Sequence, residues 1–133
     1  MNSKAVLSQA EVGQILTAAR AEAQANQWAV TIVVVDDGGH PLALERLDGC
    51  APGSAYIATE KARTSALGRR ESKSYEDMVN AGRYAFLSAP LLTSLEGGVP
   101  IVFDGQVIGA IGVSGVKPEQ DAQVAKAGAQ SLK

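Results

Sequence analysis

The sequence predicts a single α+β domain, residues 1–133, in which helices pack on an antiparallel sheet. Three observations carry that prediction. A nearly unbroken β-branched run, Val30-Thr31-Ile32-Val33-Val34-Val35, has the length of a strand and the apolarity of one covered on both faces. Turn signals of hairpin type stand in both halves of the chain, Asp36-Asp37-Gly38-Gly39 and Asp104-Gly105. Helical spacing precedes the first hairpin, separates the two and follows the second, so sequential strands are joined by tight turns while helices supply the covering layers. A chain of 133 residues has the size of one domain with one core.

The elements follow in order. Ser8 and Glu11 have the spacing of a capping box, and Leu7 and Val12 that of a hydrophobic staple, so the first helix begins at about Gln9. Val12, Ile15, Leu16, Ala19 and Ala23 then recur on one helical face, which is expected to lie on the sheet. The β-branched run is a central strand. His40 to Leu44 returns from it, and Pro41 argues for an edge position. After a Gly and Pro loop, Ser54 to Leu67 reads as a helix closed by Gly68. Its Ala55, Ala58, Ala62, Ser65 and Ala66 are small enough to let another backbone come close.

A short helix follows, with Ser74 and Asp77 as its cap and Gly82 as its stop. Leu91 to Leu95 and Ile101 to Phe103 read as strands joined through Gly97, Gly98 and Pro100, and Val107 to Val113 returns after the Asp104-Gly105 turn. Pro118 at a first helical position, with Glu119 and Asp121 behind it, opens a last helix carrying Lys126 and Lys133 toward its far end, in keeping with the helix dipole. The order is helix, two strands, two helices, three strands, helix.

Composition narrows the function. The formal net charge of -2 offers no field to attract a phosphate backbone, so nucleic acid is not expected as a partner. No stretch approaches the roughly 20 apolar residues of a membrane span. Residues 1–8 do not read as a secretory signal, and a cytoplasmic address is the expectation. Cys50 is the single cysteine, which leaves no intramolecular disulfide, and one Cys with one His falls short of a zinc ligand set.

His40 is the only histidine, and therefore the only imidazole base. A Ser-His-Asp triad also wants a nucleophile elbow, and Val113-Ser114-Gly115 does not supply one. His40 reads either as a solvated polar residue beside a turn or as an axial haem ligand or proton shuttle. Asp36 and Asp37 before Gly38-Gly39 read as turn formers. Gly109, Gly112 and Gly115 do not fit a dinucleotide loop; they mark close approach of a helix, a ligand or another backbone. Arg46, Asp48 and Lys61 read singly as surface charges, Asp48 also as a turn cap. Pointed toward the Gly97-Gly98 loop, Arg46 and Lys61 would instead receive a carboxylate or propionate, helped by backbone N–H groups there. Cys50 is a reactive thiol or a small buried hydrophobe.

Together these motifs resemble the GlcG/HbpS-like family. The blocks that carry the resemblance are Val33-Val34-Val35-Asp36 with Gly38-Gly39-His40, Arg46-Leu47-Asp48-Gly49, Ile57-Ala58 with Lys61-Ala62, Gly97-Gly98-Val99-Pro100-Ile101 and Gly109-Ala110-Ile111-Gly112-Val113-Ser114-Gly115. The resemblance implies a profilin-like fold with a five-stranded antiparallel sheet flanked by helices, and self-association into dimers or octamers. It implies a small-ligand-binding protein in a catabolic or redox setting, with haem or another tetrapyrrole as cofactor. His40 is then the residue to test at the haem iron, with Arg46, Asp48, Lys61, Gly97 and Gly98 at the ligand. The alternative is an isomerase or lyase of a small carboxylic acid, in which Lys61 or Arg46 holds the carboxylate and His40, Asp48 or Cys50 moves a proton.

Overall fold

A computed structural model describes residues 1–132. Lys133, expected near the end of the last helix, lies outside the described residues. The elements are α1 (Gln9–Ala25), β1 (Thr31–Asp36), β2 (Pro41–Arg46), α2 (Gly53–Gly68), α3 (Lys73–Asn80), a 3-10 turn (Tyr84–Ser88), β3 (Gly98–Phe103), β4 (Gln106–Ser114) and α4 (Pro118–Ala129). The strands form one antiparallel sheet in the order β2-β1-β4-β3.

Strand alternation sorts the core into two layers. Ile32 and Val34 of β1 and Ile111 and Val113 of β4 pack with Val12, Ile15, Ala19 and Ala23 of α1 and Val124 and Ala125 of α4. Val33, Val35 and Ala110 face the other way, onto Ala58, Ala62 and Ala66 of α2. The run expected to be covered on both faces is so covered: Ile32, Val33, Val34 and Val35 are fully buried. Leu7 and Val12 meet in the larger layer, as a staple should, but the Ser8 side chain makes no capping bond.

Helix α2 lies close because its partners are glycines. A Cβ at Gly112 would run into the carbonyl of Ala58 and stand 2.5 Å from Ala62 N. A Cβ at Gly98 would run into the carbonyl of Lys61. With alanines as its only buried apolar side chains, α2 gains its apolar contacts through proximity rather than side-chain volume.

The sheet has four strands, which corrects the expected five. Leu91 to Leu95 forms no strand, and the reason is where its backbone bonds go. Leu91 sits at φ 64°, in the left-handed region, its carbonyl accepts from Arg63 Nε at 3.4 Å, and the Thr93 N–H donates to Thr64 Oγ1 at 2.7 Å. Polar side chains of α2 thus take the bonds a ladder would need. The end of α2 differs as well: Gly68 is helical, and Arg69 at φ 58° is the left-handed residue after it. The short helix starts one position earlier than its expected cap, and Asp77 pairs with Lys73 at 2.7 Å instead. The second hairpin is as expected, with Asp104 at φ 51° and Gly105 at φ 71°, the two positive values a type I′ turn requires.

The outer edge of β3 is capped over its first residues. The Val113 N–H donates to Gly97 O, and the antiparallel alternation then turns the peptide groups of Gly98 and Pro100 outward. The Gly98 N–H goes to Ser72 Oγ at 2.8 Å, its carbonyl accepts from Ser72 N at 3.0 Å, and Pro100 has no N–H to offer.

Candidate functional site

The residues singled out by sequence fall into two groups at opposite ends of the sheet. Thr31 pairs with Arg46 on one side and Ser114 on the other, so Arg46, Asp48, Cys50 and the end of β4 share one end. His40 precedes β2 at the other end, where Val35 pairs with Pro41. Six strand residues at about 3.3 Å each separate the two by roughly 20 Å.

At the first end, Lys61 points inward. Its ammonium donates to Val113 O at 2.9 Å and to Asp121 Oδ2 at 3.0 Å, with both side chains at or below 5% exposure. The stem passes Gly97, where a Cβ would meet Lys61 Cδ at 2.9 Å and Nζ at 2.8 Å, and where φ is 134°. Gly97 and Gly98 therefore make room for α2 and its lysine. Asp121 Oδ1 accepts from Val116 N at 3.1 Å, so the carboxylate closes the start of α4. Burial pushes the Asp121 carboxyl above its usual range, with the attraction of Lys61 opposing.

Arg46 and Asp48 are exposed and come together along an open groove with Gln24, Gln27 and Trp28. The Arg20–Glu45 pair, at 2.5 Å, forms its wall. Cys50 is buried beneath, its thiol 3.4 Å from Thr31 Oγ1 and 3.8 Å from the Ser114 carbonyl. No group of three or more His, Cys, Asp and Glu among the described residues is placed to hold a metal ion by itself.

The other end is organised around His40, whose side chain is 78% exposed. Asp36 holds it. Asp36 Oδ1 accepts the N–H of Gly38 and of His40, each at 2.9 Å, and lies 3.0 Å from His40 Nδ1, with Oδ2 at 3.2 Å. Partial burial pushes the Asp36 carboxyl up, but the backbone N–H groups of His40 and Gly38 and the imidazole together outweigh it, and the group lies below its usual range. Three cations surround this turn. Lys4 pairs with Asp37 at 2.7 Å and lowers its carboxyl against a smaller effect of burial, Arg69 Nη1 donates to the Asp37 carbonyl at 2.6 Å, and the Arg63 stem fills the space beside Gly39. Arg63 also pairs with Glu60 and reaches the Leu91 carbonyl.

Sequence reasoning treated Asp36 as a turn former and gave neither Arg63 nor Arg69 a role at the site. A signal for Asp36 was present: an aspartate four residues before the only histidine, across a Gly-Gly turn, is within reach of the imidazole. Nothing local pointed to Asp121, which lies 60 positions from Lys61.

A four-stranded antiparallel sheet with α1 and α4 on one face and α2 on the other matches a known class. The chain belongs to the family described as haem degrading protein HbpS-like, whose model matches residues 7–130. Among curated proteins it is similar to Protein GlcG of Escherichia coli K12, 65% identical over 114 residues that span 86% of this chain and 85% of that one. Among solved structures it resembles a double mutant of Streptomyces reticuli HbpS, with TM-score 0.91, 28% identity and coverage of 100% and 91% of the two chains. The structure of a PduOC–haem complex matches with TM-score 0.87 and 26% identity over 97% of this chain and 96% of the other.

Proposed function

We propose that this protein binds haem or a related tetrapyrrole, with His40 Nε2 as the iron ligand. The observation that carries the reading is the His40–Asp36 pair: an exposed imidazole whose Nδ1 side is held by a carboxylate and whose Nε2 faces outward. Carboxylate-backed imidazoles are the usual form of a metal-ligating histidine. The likeness to the PduOC–haem complex supports the choice of ligand.

The residues at this end fit the group. His40 would supply an axial nitrogen and Arg69, bonded among the described residues only to the carbonyls of Asp37 and Ala66, a cation for a propionate, while Lys4 and Arg63 would have to exchange their pairing with Asp37 and Glu60. Bound haem would supply one-electron and oxygen chemistry, while the protein's part is to ligate, orient and set the basicity of the ligand. Self-association into dimers or octamers belongs to the same reading, supported by the family resemblance.

Hemin titration followed at the Soret band tests it. Wild-type protein is expected to saturate, and His40→Ala to lose most of that affinity. Failure to saturate, or equal affinity in His40→Ala, would remove the proposal.

A further inference from the structure

Two neighbours of His40 constrain its ring in a way that a plain turn does not need. Asp36 is the first. An ionised carboxylate only accepts hydrogen bonds, so the contact at 3.0 Å from Nδ1 requires the proton on that nitrogen. Gly38 is the second, and its reason for being glycine is the ring. Its φ lies outside the left-handed region, so its backbone would accept any residue, yet a Cβ there would stand 2.8 Å from His40 Cε1 and 3.0 Å from Nδ1. The space a side chain would occupy is taken by the imidazole.

We infer that Asp36 and Gly38 are positioning residues that fix His40 as the Nδ1–H tautomer, leaving the Nε2 lone pair facing solvent as a preformed ligand or base. This rests on the reading of His40 as the ligating residue, but it is a property of the protein with nothing bound. It also explains an otherwise arbitrary pairing in the turn. Asp36 already satisfies the N–H groups of Gly38 and His40 through one oxygen, which is all that turn closure asks. The imidazole contact is additional, and the missing Cβ at Gly38 makes it possible. A histidine free in solvent at 78% exposure would ordinarily favour the other tautomer and sample several rotamers.

The chain has a single histidine, so its imidazole nitrogens give an unambiguous signal. Long-range nitrogen–proton correlation spectra of ligand-free, uniformly labelled protein, recorded where the ring is neutral, read the tautomer directly. The expected result is a protonated Nδ1 and an unprotonated Nε2. A majority of the Nε2–H form in wild type would overturn the inference while leaving hemin binding to be judged by its own titration.

Gly38→Ala is expected to leave the thermal midpoint unchanged and to shift the nitrogen signals toward the Nε2–H pattern, because the displaced group is a mobile ring. Asp36→Asn is expected to shift the nitrogen signals in the same direction and to weaken hemin binding by about 10-fold to 100-fold, with Asp36→Glu recovering part of the loss. The reduction potential of the hemin complex should rise in Asp36→Asn, since a neutral partner makes the imidazole a weaker donor. Wild-type tautomer, affinity and potential in both Gly38→Ala and Asp36→Asn would overturn it.

Discussion

At the scale of single residues, charge burial is the largest stake. Lys61 and Asp121 are nearly sealed from water, and each satisfies the other together with one backbone group. Removing one partner strands a charge. Asp121→Ala is expected to lower stability by about 3 to 5 kcal/mol, whereas Lys61→Met with Asp121→Leu, which removes both charges, should lose much less. Urea unfolding of the three proteins checks the ordering. Asp36 governs the acid limb instead. Its carboxyl is lower in the folded protein than in the unfolded chain, so the stability it adds is present above the ordinary aspartate value of about 3.9 and is lost as pH falls through the folded value. Asp36→Asn is expected to flatten the fall in stability below about pH 4 in a urea series. The raised Asp121 carboxyl runs the other way, since its ionisation costs stability as pH rises from the ordinary aspartate value toward the higher value it has in the folded protein.

At the scale of elements, what could be read from the sequence was what is decided locally. The Asp104-Gly105 turn needs two positive φ values, and those two residues are the ones that take them. Pro41 sits at the start of an edge strand, and Pro118 opens α4. The small face of α2 was legible too, and Gly112 proves to be its counterpart on β4. Gly112→Ala should push α2 off the sheet at a cost of about 1 to 3 kcal/mol or more, measured as a lowered denaturation midpoint. The failures came where distant groups intervened. Leu91 to Leu95 has the apolar content of a strand, but Arg63 and Thr64, nearly 30 positions earlier, take its backbone bonds. Gly68 looked like a helix stop, yet a Cβ there would run into the Tyr75 hydroxyl, so close packing accounts for the glycine.

At the scale of the molecule, the sheet separates two surfaces that the sequence could not set apart. Arg46 and His40 stand six positions apart in the chain, and an extended strand converts that spacing into nearly its full length. Lys61, in turn, is drawn inside by an aspartate that only the fold brings near. If haem sits at the His40 end, Arg46→Ala leaves hemin affinity within about twofold of wild type, in contrast to His40→Ala; comparing the two titrations checks that the ends act independently. The family resemblance located the right residues for the fold. Their directions depended on packing that no local pattern encodes.

The capped rim of β3 bears on symmetry. With Ser72 and Pro100 obstructing the start of that side, the sheet is more readily extended along β2, where alternation turns the N–H groups of Leu44 and Arg46 away from β1. Two copies meeting there through antiparallel β2 strands would be related by a twofold axis and would consume both of those rims at once, so that contact closes on itself as a pair.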